Sequence, residues 1–364
     1  MSLALNVVAP SFDPATVGGA GTAMVELIRE FLHKEPATRI FLNSRTAELY
    51  PEWSESIVRV PTGSHASTRP PALSLLKLQF LGSPALPRTG TCWFPFGFMT
   101  PSSWRGRGVA TIYDTLEWDL PHCLPSSQRA FRRWIVKRTT KITRIVTASE
   151  FSRKQVQLHY GVDATVIPLA PVPLPAPSQA KVPAKPYVFF PAIAWPHKNH
   201  RFLLETWLKH PELRELSLVF TLSSGTQQLA SHIDAARRNG VNIIITGHVT
   251  TAELAGLYAG AQCMVFPSLY EGFGLPVQEA LQCGCPALIS NRGSLPETVR
   301  ADYPFILPLD ASIWASAVLS NPRQTARDTA AYLSKLTWHE CAENYLSVFE
   351  ACLQTNERNT PNHR

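Results

Sequence analysis

A run of prolines near the middle of this 364-residue chain restricts its architecture more than any other feature of the sequence. PLAPVPLPAPSQAKVPAKP, residues 168–186, holds seven prolines in nineteen positions. Proline lacks a backbone N–H and fixes φ, so this run fits neither a central strand nor a helix interior and is typical of a semi-rigid linker. The sequence therefore predicts two domains, residues 1–170 and 187–335, joined by a linker of residues 171–186.

Both halves alternate short apolar runs with amphipathic segments. The apolar runs of the first half are LALNVVAP, TRIFLN, TCWFPF, VATIYD, RIVTAS and ATVIPLA, and those of the second half are YVFFPAI, LSLVFTL, VNIIITG, QCMVFPS and CPALIS. Segments with helical periodicity, such as AMVELIREFL and HRFLLETWLKH, lie between them. The alternation favours an α/β protein with two Rossmann-like, doubly wound domains. HECAENYLSVFEACL predicts a last helix, and we expect the polar tail, residues 355–364, to fray.

The composition excludes several classes of protein. Hydrophobic residues make up 45% of the chain and charged residues 17%, which is typical of a soluble globular protein. No apolar run reaches the length of a membrane span, and the N-terminus lacks the pattern of a secretory signal. The seven scattered cysteines, with no second pair to join Cys283 and Cys285 in a zinc site, indicate reduced thiols in a cytoplasmic protein.

The net charge of +7 lies entirely in the first half, and much of it lies in RAFRRWIVKRTTKITR, residues 129–144. Helical periodicity lets Phe131, Trp134 and Ile135 face inward. The basic residues at helical spacing are Arg129, Arg132, Arg133, Lys137 and Lys141. Two interpretations stay open: a solvated helix face, or a surface that rests on anionic lipid or on a phosphate-bearing acceptor. The second would place the protein at the cytoplasmic face of a membrane.

Polar residues follow two of the apolar runs in the second half. YEGFGLPVQEAL places Glu271 before a glycine-rich turn and Glu279 inside the helix that the turn begins. The N–H groups and positive dipole end of such a helix suit a phosphate, and ionised carboxylates accept strong hydrogen bonds from sugar hydroxyls. WPHKNHR places Lys198 and Arg201 in the same relation to a strand and a helix.

Each of these residues also has a structural interpretation. Glu279 could neutralise the start of its helix, and Glu271 could be an exposed loop residue. Lys198 could be a solvated lysine. The combination of all three at strand ends, where doubly wound sheets bind their ligands, favours a site.

The motifs named so far occur together in one family. EGFGLPVQEAL matches an E-x7-E motif, and Gly247, Pro267-Ser268, Gly284-Cys285-Pro286 and Ser294-Leu295-Pro296-Glu297 follow in the expected order. Residues 187–298 thus resemble the donor domain of the retaining glycosyltransferases of family GT4, which have the GT-B fold. VATIYDTLEWDLP and TASEFSRKQV resemble the acceptor-side segments of this family, and TWHECAENYLSVFE resembles its last helix.

The resemblance implies a fold, a reaction and a set of site residues. Two Rossmann-like domains would face a cleft, and the last helix, within residues 336–354, would cross back to the first domain. Glu271 would contact the transferred sugar, Glu279 the ribose and Lys198 the diphosphate. The other donor-binding positions would be Arg201, Gly272, Phe273, Gly274, Leu275 and Gly247, with Gly18 and Gly19 from the first domain. Acceptor-side positions would be Tyr113, Asp114 and Glu150.

The chain departs from the family at two positions. Ile193 stands where the family often has an arginine, and Arg201 is a candidate to replace its charge. Tyr113 stands where many relatives have a histidine before the aspartate. We therefore expect Asp114 to act as an acceptor-side contact or as a base, with a structural strand-end aspartate as the alternative.

The resulting prediction is a retaining glycosyltransferase that moves a hexose from a nucleoside-diphosphate sugar to a hydroxyl of a glycan or lipid-linked saccharide. GDP-mannose is favoured because WPHKN resembles transferases of that kind, and a UDP-sugar is the alternative. No Asp-x-Asp sequence is present, so we expect neither a metal nor another cofactor. The competing functions are a phosphorylase or epimerase of the same fold, a non-catalytic sugar-binding protein, and a nucleic-acid-binding protein suggested by the pI of 9.1.

Overall fold

The computed structural model describes residues 3–14, 18–61, 85–87, 90–97, 100, 104, 106–184, 186–222, 226–325, 328–333 and 335–354. The predicted frayed tail, residues 355–364, lies outside them. The chain divides into two compact units. Unit 1 comprises the described residues of 1–170 and 336–364, and unit 2 those of 171–335.

Unit 1 is built on a parallel sheet of seven strands in the order β3-β2-β1-β4-β5-β6-β7. The strands are β1 Leu5–Val8, β2 Arg39–Asn43, β3 Ile57–Val60, β4 Thr91–Phe94, β5 Arg107–Thr111, β6 Arg144–Thr147 and β7 Thr165–Val166. Val7 at the centre pairs with Ile40 on one side and Trp93 on the other. Central strands covered on both faces are apolar throughout, which is why the apolar runs predicted most of them.

The helices of unit 1 follow its strands. They are α1 Gly19–Lys34, α2 Ser44–Ala47, α3 Leu116–Asp119, α4 Ser126–Ile142, α5 Glu150–Tyr160 and, from the end of the chain, α12 Trp338–Gln354. The Ser149 hydroxyl accepts from the Ser152 N–H to cap α5, and Gly161, with φ 69°, ends it.

Helix α12 packs within unit 1 against α1 and β5. The ring of Phe31 lies 6.2 Å from that of Tyr345 and 6.0 Å from that of Phe349. The Tyr345 hydroxyl lies 2.9 Å from the Thr111 hydroxyl, and Lys34 pairs with Glu343 at 3.0 Å. The last helix of the chain is therefore part of the core of unit 1 rather than an appendage.

Unit 2 is built on a parallel sheet of six strands in the order β10-β9-β8-β11-β12-β13. The strands are β8 Tyr187–Phe190, β9 Ser217–Phe220, β10 Ile243–Ile245, β11 Cys263–Phe266, β12 Ala287–Ser290 and β13 Ile306–Leu307. The chain runs from β8 outward to β10 on one side and returns to β11 on the other. Ligands bind at such a reversal of strand order in doubly wound sheets, beyond the carboxyl ends of the strands.

The helices of unit 2 are α6 His200–Lys209, α7 Thr226–Arg238, α8 Thr251–Gly260, α9 Leu275–Gln282, α10 Ala311–Leu319 and α11 Pro322–Thr325. Thr250 and Glu253 form a capping box at the start of α8. Trp207 of α6 and Trp314 of α10 are buried in the core of the unit. These helices cover the sheet and leave the site to the loops at the strand ends.

Three features differ from the sequence predictions or add to them. The predicted linker, residues 171–186, is grouped with unit 2, where the Ser178 N–H donates to the Ala252 carbonyl at 2.8 Å. Strands β3 and β13 and helix α10 were not predicted. Within the described part of the chain, no helix is both long and apolar enough to cross a bilayer.

Candidate active site

Lys198 and Glu271 meet at the point where the strand order of unit 2 reverses. Lys198 ends a short 3₁₀ turn after β8, and Glu271 lies in the loop after the neighbouring strand β11. The Lys198 Nζ lies 2.7 Å from one carboxylate oxygen of Glu271 and 2.9 Å from the other. Only 17% and 11% of the two side chains are exposed. A cation and an anion are thus held together where a ligand would bind.

Contacts between the two loops fix this pair. Asn199, in the left-handed conformation with φ 60°, caps α6 and donates from its side chain to the Pro267 carbonyl at 3.2 Å. The Leu269 N–H donates to the His197 carbonyl at 2.8 Å. These bonds join the two loops on both sides of Lys198 and just before Glu271, and so hold the pair together.

The glycine-rich turn after Glu271 leads directly into α9. Gly274 has φ 109°, a conformation that side-chain-bearing residues rarely adopt, and a Cβ there would lie 2.7 Å from Leu295. Pro276 occupies the first turn of the helix, where its missing N–H costs nothing. The turn of residues 272–275 therefore places the N-terminal end of α9 directly after Glu271.

Glu279 lies one helical turn further along α9. Its carboxylate accepts a hydrogen bond of 3.0 Å from the hydroxyl of Tyr258, a buried residue of α8. Burial raises the pKa of Glu279, and the Tyr258 hydrogen bond opposes this rise. The hydrogen bond of Glu279 differs from that of a simple helix cap, since its partner Tyr258 lies on α8 and not on α9.

Arg201 lies in a pocket of about 350 Å³ beside the Lys198 turn. The pocket is also lined by Trp195, whose side chain is 47% exposed, and by Gln228 of α7. Arg201 forms no ion pair with any described residue. Ile193, where the family often has an arginine, is 38% exposed. Arg201 thus contributes a positive charge to this pocket, although it does not contact Glu271.

The remaining glycines of the predicted site lie in two places. Gly247 follows β10 with φ 68°, and a Cβ there would meet nothing within 4 Å. In unit 1, Gly18 has φ 57° and precedes Gly19, the first residue of α1. Backbone in this conformation leaves room for the close approach of a ligand.

Asp114 follows β5 in unit 1 and is bound from two sides. Its Oδ1 accepts a hydrogen bond of 3.0 Å from Arg132 and one of 3.1 Å from the Leu116 N–H. Arg132 also lies 3.3 Å from the carboxylate of Glu117, which accepts a hydrogen bond from the Tyr160 hydroxyl. Burial raises the pKa of Glu117, and Arg132 opposes that rise. Asp114 is therefore an ion-paired residue at the start of α3.

The other acceptor-side positions differ in their surroundings. The hydroxyl of Tyr113 is buried and has no hydrogen-bond partner among the described residues, and burial raises its pKa well above the usual value. Glu150 begins α5 and pairs with Arg153 at 2.8 Å on the surface. Its side chain is 52% exposed.

The basic face of α4 is smaller than its periodicity predicted. Arg132 bonds Asp114 and Glu117, while Arg133 stacks on the ring of Trp118 at 3.7 Å and donates to the Glu117 carbonyl at 3.1 Å. Both side chains point toward α3, where Arg132 meets two carboxylates and Arg133 meets a ring and a carbonyl. These two residues are therefore removed from the candidate membrane-facing surface.

The exposure of Trp134 differs from the prediction for the apolar face of α4. It was expected to face inward, but its side chain is 44% exposed. It lies at helical spacing with Lys137 and Lys141, which are exposed, whereas Arg129 donates to the Pro121 carbonyl at 3.0 Å. Trp134, Lys137 and Lys141 form one exposed stripe, which we call the α4 stripe.

No group of three or more His, Cys, Asp or Glu side chains arranged to hold a metal ion occurs in the part of the chain that the structure describes. All seven cysteines are free thiols. Sequence reasoning missed Tyr258 and Arg132 as partners of site residues, since nothing in the local pattern shows which residue of another element faces a carboxylate.

Residues 176–313 match the family model described as Glycosyl transferases group 1. Unit 2 thus contains a group 1 glycosyl transferase domain. The match begins inside the predicted linker and includes Lys198, Glu271 and Glu279. The prediction of a glycosyltransferase is confirmed.

Two curated relatives transfer mannose according to their names. The chain is 29% identical over 269 residues to O-antigen chain mannosyltransferase B of Escherichia coli, which covers 67% of this chain and 70% of the relative. It is 30% identical over 177 residues to the serotype-specific mannosyltransferase WbdA of Escherichia coli, covering 46% of this chain but only 22% of that protein.

A solved structure matches along nearly the whole chain. The sucrose-phosphate synthase from Thermosynechococcus elongatus gives a TM-score of 0.67 at 17% identity and covers 98% of both chains. At this identity the likeness concerns the fold alone. Together with the two parallel sheets, it confirms the predicted GT-B class of fold.

Proposed function

We propose that the protein transfers a hexose, with retention of anomeric configuration, from a nucleoside-diphosphate sugar to a hydroxyl of a glycan or lipid-linked saccharide. The observation that carries this proposal is the Lys198–Glu271 pair at the reversal of strand order, next to the N-terminal end of α9. It joins a cation and a helix start, which suit a diphosphate, to an anion, which suits the transferred sugar.

The leaving diphosphate would bind Lys198 and the N-terminal end of α9. Both supply positive charge where negative charge develops as the glycosidic bond to the phosphate breaks. The transferred sugar gains positive charge in an oxocarbenium-like transition state, and the carboxylate of Glu271 would stabilise it. The departing phosphate oxygen would accept the proton of the attacking hydroxyl on the same face of the sugar. This route needs no divalent cation for charge stabilisation.

Glu279 and Arg201 would hold the rest of the donor. The Glu279 carboxyl group, with Tyr258 bound to one oxygen, has capacity to accept hydrogen bonds from ribose hydroxyls. Arg201 supplies a second positive charge beside Trp195 in place of the arginine missing at Ile193. The names of the two relatives support mannose as the sugar, and we propose GDP-mannose before a UDP-sugar.

Asp114 would contact the acceptor rather than act as a base. Its Oδ1 already accepts hydrogen bonds from Arg132 and from a backbone N–H, so only the other carboxylate oxygen is left to meet a substrate. The second oxygen can still orient an acceptor hydroxyl. Tyr113 and Glu150 would lie further from the acceptor. The Tyr113 hydroxyl is buried, and the Glu150 side chain pairs with Arg153 on the surface.

We expect the purified full chain to release GDP from GDP-mannose when a glycan acceptor is supplied. The measurement is nucleoside-diphosphate release with GDP-mannose, UDP-glucose and UDP-N-acetylglucosamine, after a thermal-shift screen of the three donors. Activity should persist in EDTA. No release from any donor with any mannose-terminated or lipid-linked acceptor would overturn the proposal, and loss of activity in EDTA would overturn its metal-free form.

We further propose that the α4 stripe rests on anionic lipid. An exposed tryptophan followed at helical spacing by two exposed lysines suits a membrane interface, since the ring fits the headgroup region and the lysines attract anionic lipid. The variant Trp134→Ala, Lys137→Gln, Lys141→Gln should sediment several-fold less with vesicles that contain phosphatidylglycerol. The matched control neutralises Lys209, Arg214 and Arg300 of unit 2 and should sediment like the wild type. Equal sedimentation of both variants would contradict the proposal.

A further inference from the structure

The loop that carries Glu271, residues 267–274, is held from a second side by the loop after β12. The hydroxyl of Ser294 lies 2.9 Å from the Glu271 carbonyl oxygen and 3.1 Å from that of Phe273. The Ser294 N–H also points to the Glu271 carbonyl, at 3.4 Å. Ser294 is fully buried, so water does not compete for these bonds. One hydroxyl proton is thus shared between two carbonyls of the same turn.

Gly293 permits this close approach. It has φ 59°, and a Cβ at this position would lie 2.9 Å from the Glu271 nitrogen and 3.2 Å from its carbonyl oxygen. A side chain of any size would push the backbone of Glu271 away from Ser294. Ser290, at the end of β12, donates from its hydroxyl to the Ser268 carbonyl and extends the same contact. The two loops therefore meet at Ser268, Glu271 and Phe273.

We propose that Ser294 is a positioning residue for Glu271 and acts through the backbone of the turn. In a trans peptide the carbonyl and the following N–H point in opposite directions. Anchoring the carbonyls of Glu271 and Phe273 on one hydroxyl fixes the orientation of both peptide planes. It therefore constrains the direction of the Glu271 side chain and sets the direction of the N–H groups of Gly272 and of Gly274, which caps α9. The proposal rests on the proposed function, because it assigns Glu271 to the transferred sugar.

The expected effect is on turnover rather than on donor affinity. Ser294→Ala removes the shared bond and leaves a smaller buried side chain, so the Glu271 carboxylate should occupy a wider range of positions. We expect kcat to fall about five- to tenfold while the KM for the donor changes less than about threefold. Gly293→Ala should lower kcat further, because it displaces the turn while keeping the Ser294 hydroxyl.

The controls separate positioning from stability. Ser320→Ala removes a serine-to-carbonyl bond of 2.8 Å at an exposed place in unit 2, and Gly240→Ala strains a glycine of φ 84° where the nearest atom is 3.8 Å away. Both should keep the wild-type kcat, and thermal melts of all four variants should be compared.

Hydrogen exchange of the peptide that covers residues 268–275 provides a test that does not depend on turnover. It should become faster in Ser294→Ala and stay unchanged in Ser320→Ala. Unchanged exchange in Ser294→Ala, or an unchanged kcat beside a lowered melting temperature, would overturn the positioning role. Absence of transfer by the wild-type protein would instead overturn the proposed function, while faster exchange would still support the anchoring of the turn.

Discussion

Glu271→Gln should lower kcat for sugar transfer by about 10²- to 10³-fold, equivalent to about 2.7–4 kcal/mol of transition-state stabilisation. The substitution keeps the size of the side chain and removes its negative charge at the point where positive charge develops on the sugar. Because Glu271 lies in a loop anchored by backbone bonds, we expect the melting temperature to change little. Steady-state kinetics with the donor identified by the screen provides the measurement.

Binding of the product nucleotide distinguishes this role from a general disturbance of the site. In Glu271→Gln the ammonium of Lys198 loses its anionic partner and becomes fully available to a diphosphate, so GDP should bind as tightly as in the wild type or more tightly. Lys198→Met should weaken GDP binding at least about tenfold. Glu212→Gln, on the surface of unit 2 beside His210, is the control and should alter neither quantity. A kcat within threefold of the wild type in Glu271→Gln would remove Glu271 from the reaction.

The sequence predicted the fold well because the strands of a parallel sheet are buried on both faces. Runs such as YVFFPAI and QCMVFPS contain no polar positions at the centre, and both became central strands of unit 2. Strands β3 and β13 were missed for the opposite reason. They lie at sheet edges, where Ile57, Val58 and Ile306 are only half-buried and the apolar signal is weak.

Sequence patterns identify the polar residues that follow a strand, but they do not identify the partner that each residue meets in another element. Lys198 and Glu271 are 73 positions apart, and they meet because β8 and β11 are neighbours. Sequence periodicity gives no strand order, so this contact was implied only by the resemblance to a family. The contact between Tyr258 and Glu279 had no sequence signal at all, because both residues lie in ordinary helical patterns.

Helix α4 shows that helical periodicity does not predict which basic side chains of a helix are exposed to solvent. Helical spacing groups Arg129, Arg132, Arg133, Lys137 and Lys141, but it does not say which part of that face meets another element. The loop after β5 and helix α3 cover one edge of α4 and bring the carboxylates of Asp114 and Glu117, respectively, to Arg132. Arg132, which would attract anionic lipid if this face of the helix were free, is therefore paired with two carboxylates of its own chain.

Arg132→Met should destabilise the protein by about 3 kcal/mol at neutral pH. The methionine fills much of the same space but leaves the Glu117 carboxylate, whose side chain is 1% exposed, with no cation. Tyr160 remains as its hydrogen-bond donor. Because Asp114 is one-third exposed, its separate pair with Arg132 contributes little to this figure. Urea unfolding followed by circular dichroism measures the loss.

The loss should shrink as the pH falls. Burial holds the pKa of Glu117 above its unfolded value of 4.5, and removing Arg132 raises it further. A group with a raised folded pKa favours folding when protonated, at pH values below its unfolded pKa, and that contribution is lost as the pH rises through the folded pKa. Arg132→Met should therefore differ less from the wild type near pH 5 than at pH 7.5, and adding Glu117→Gln should recover part of the loss at pH 7.5.

Arg153→Met is the matched control, because Arg153 also bridges two carboxylates, those of Glu150 and Asp163, but does so on the surface. Water already solvates those groups, so its removal should change stability little and show no comparable dependence on pH. If both variants lose the same stability, burial of the Glu117 carboxylate is not what makes Arg132 necessary. A loss confined to Arg132→Met assigns this arginine to the interior of unit 1 and leaves the α4 stripe as the basic surface of the helix.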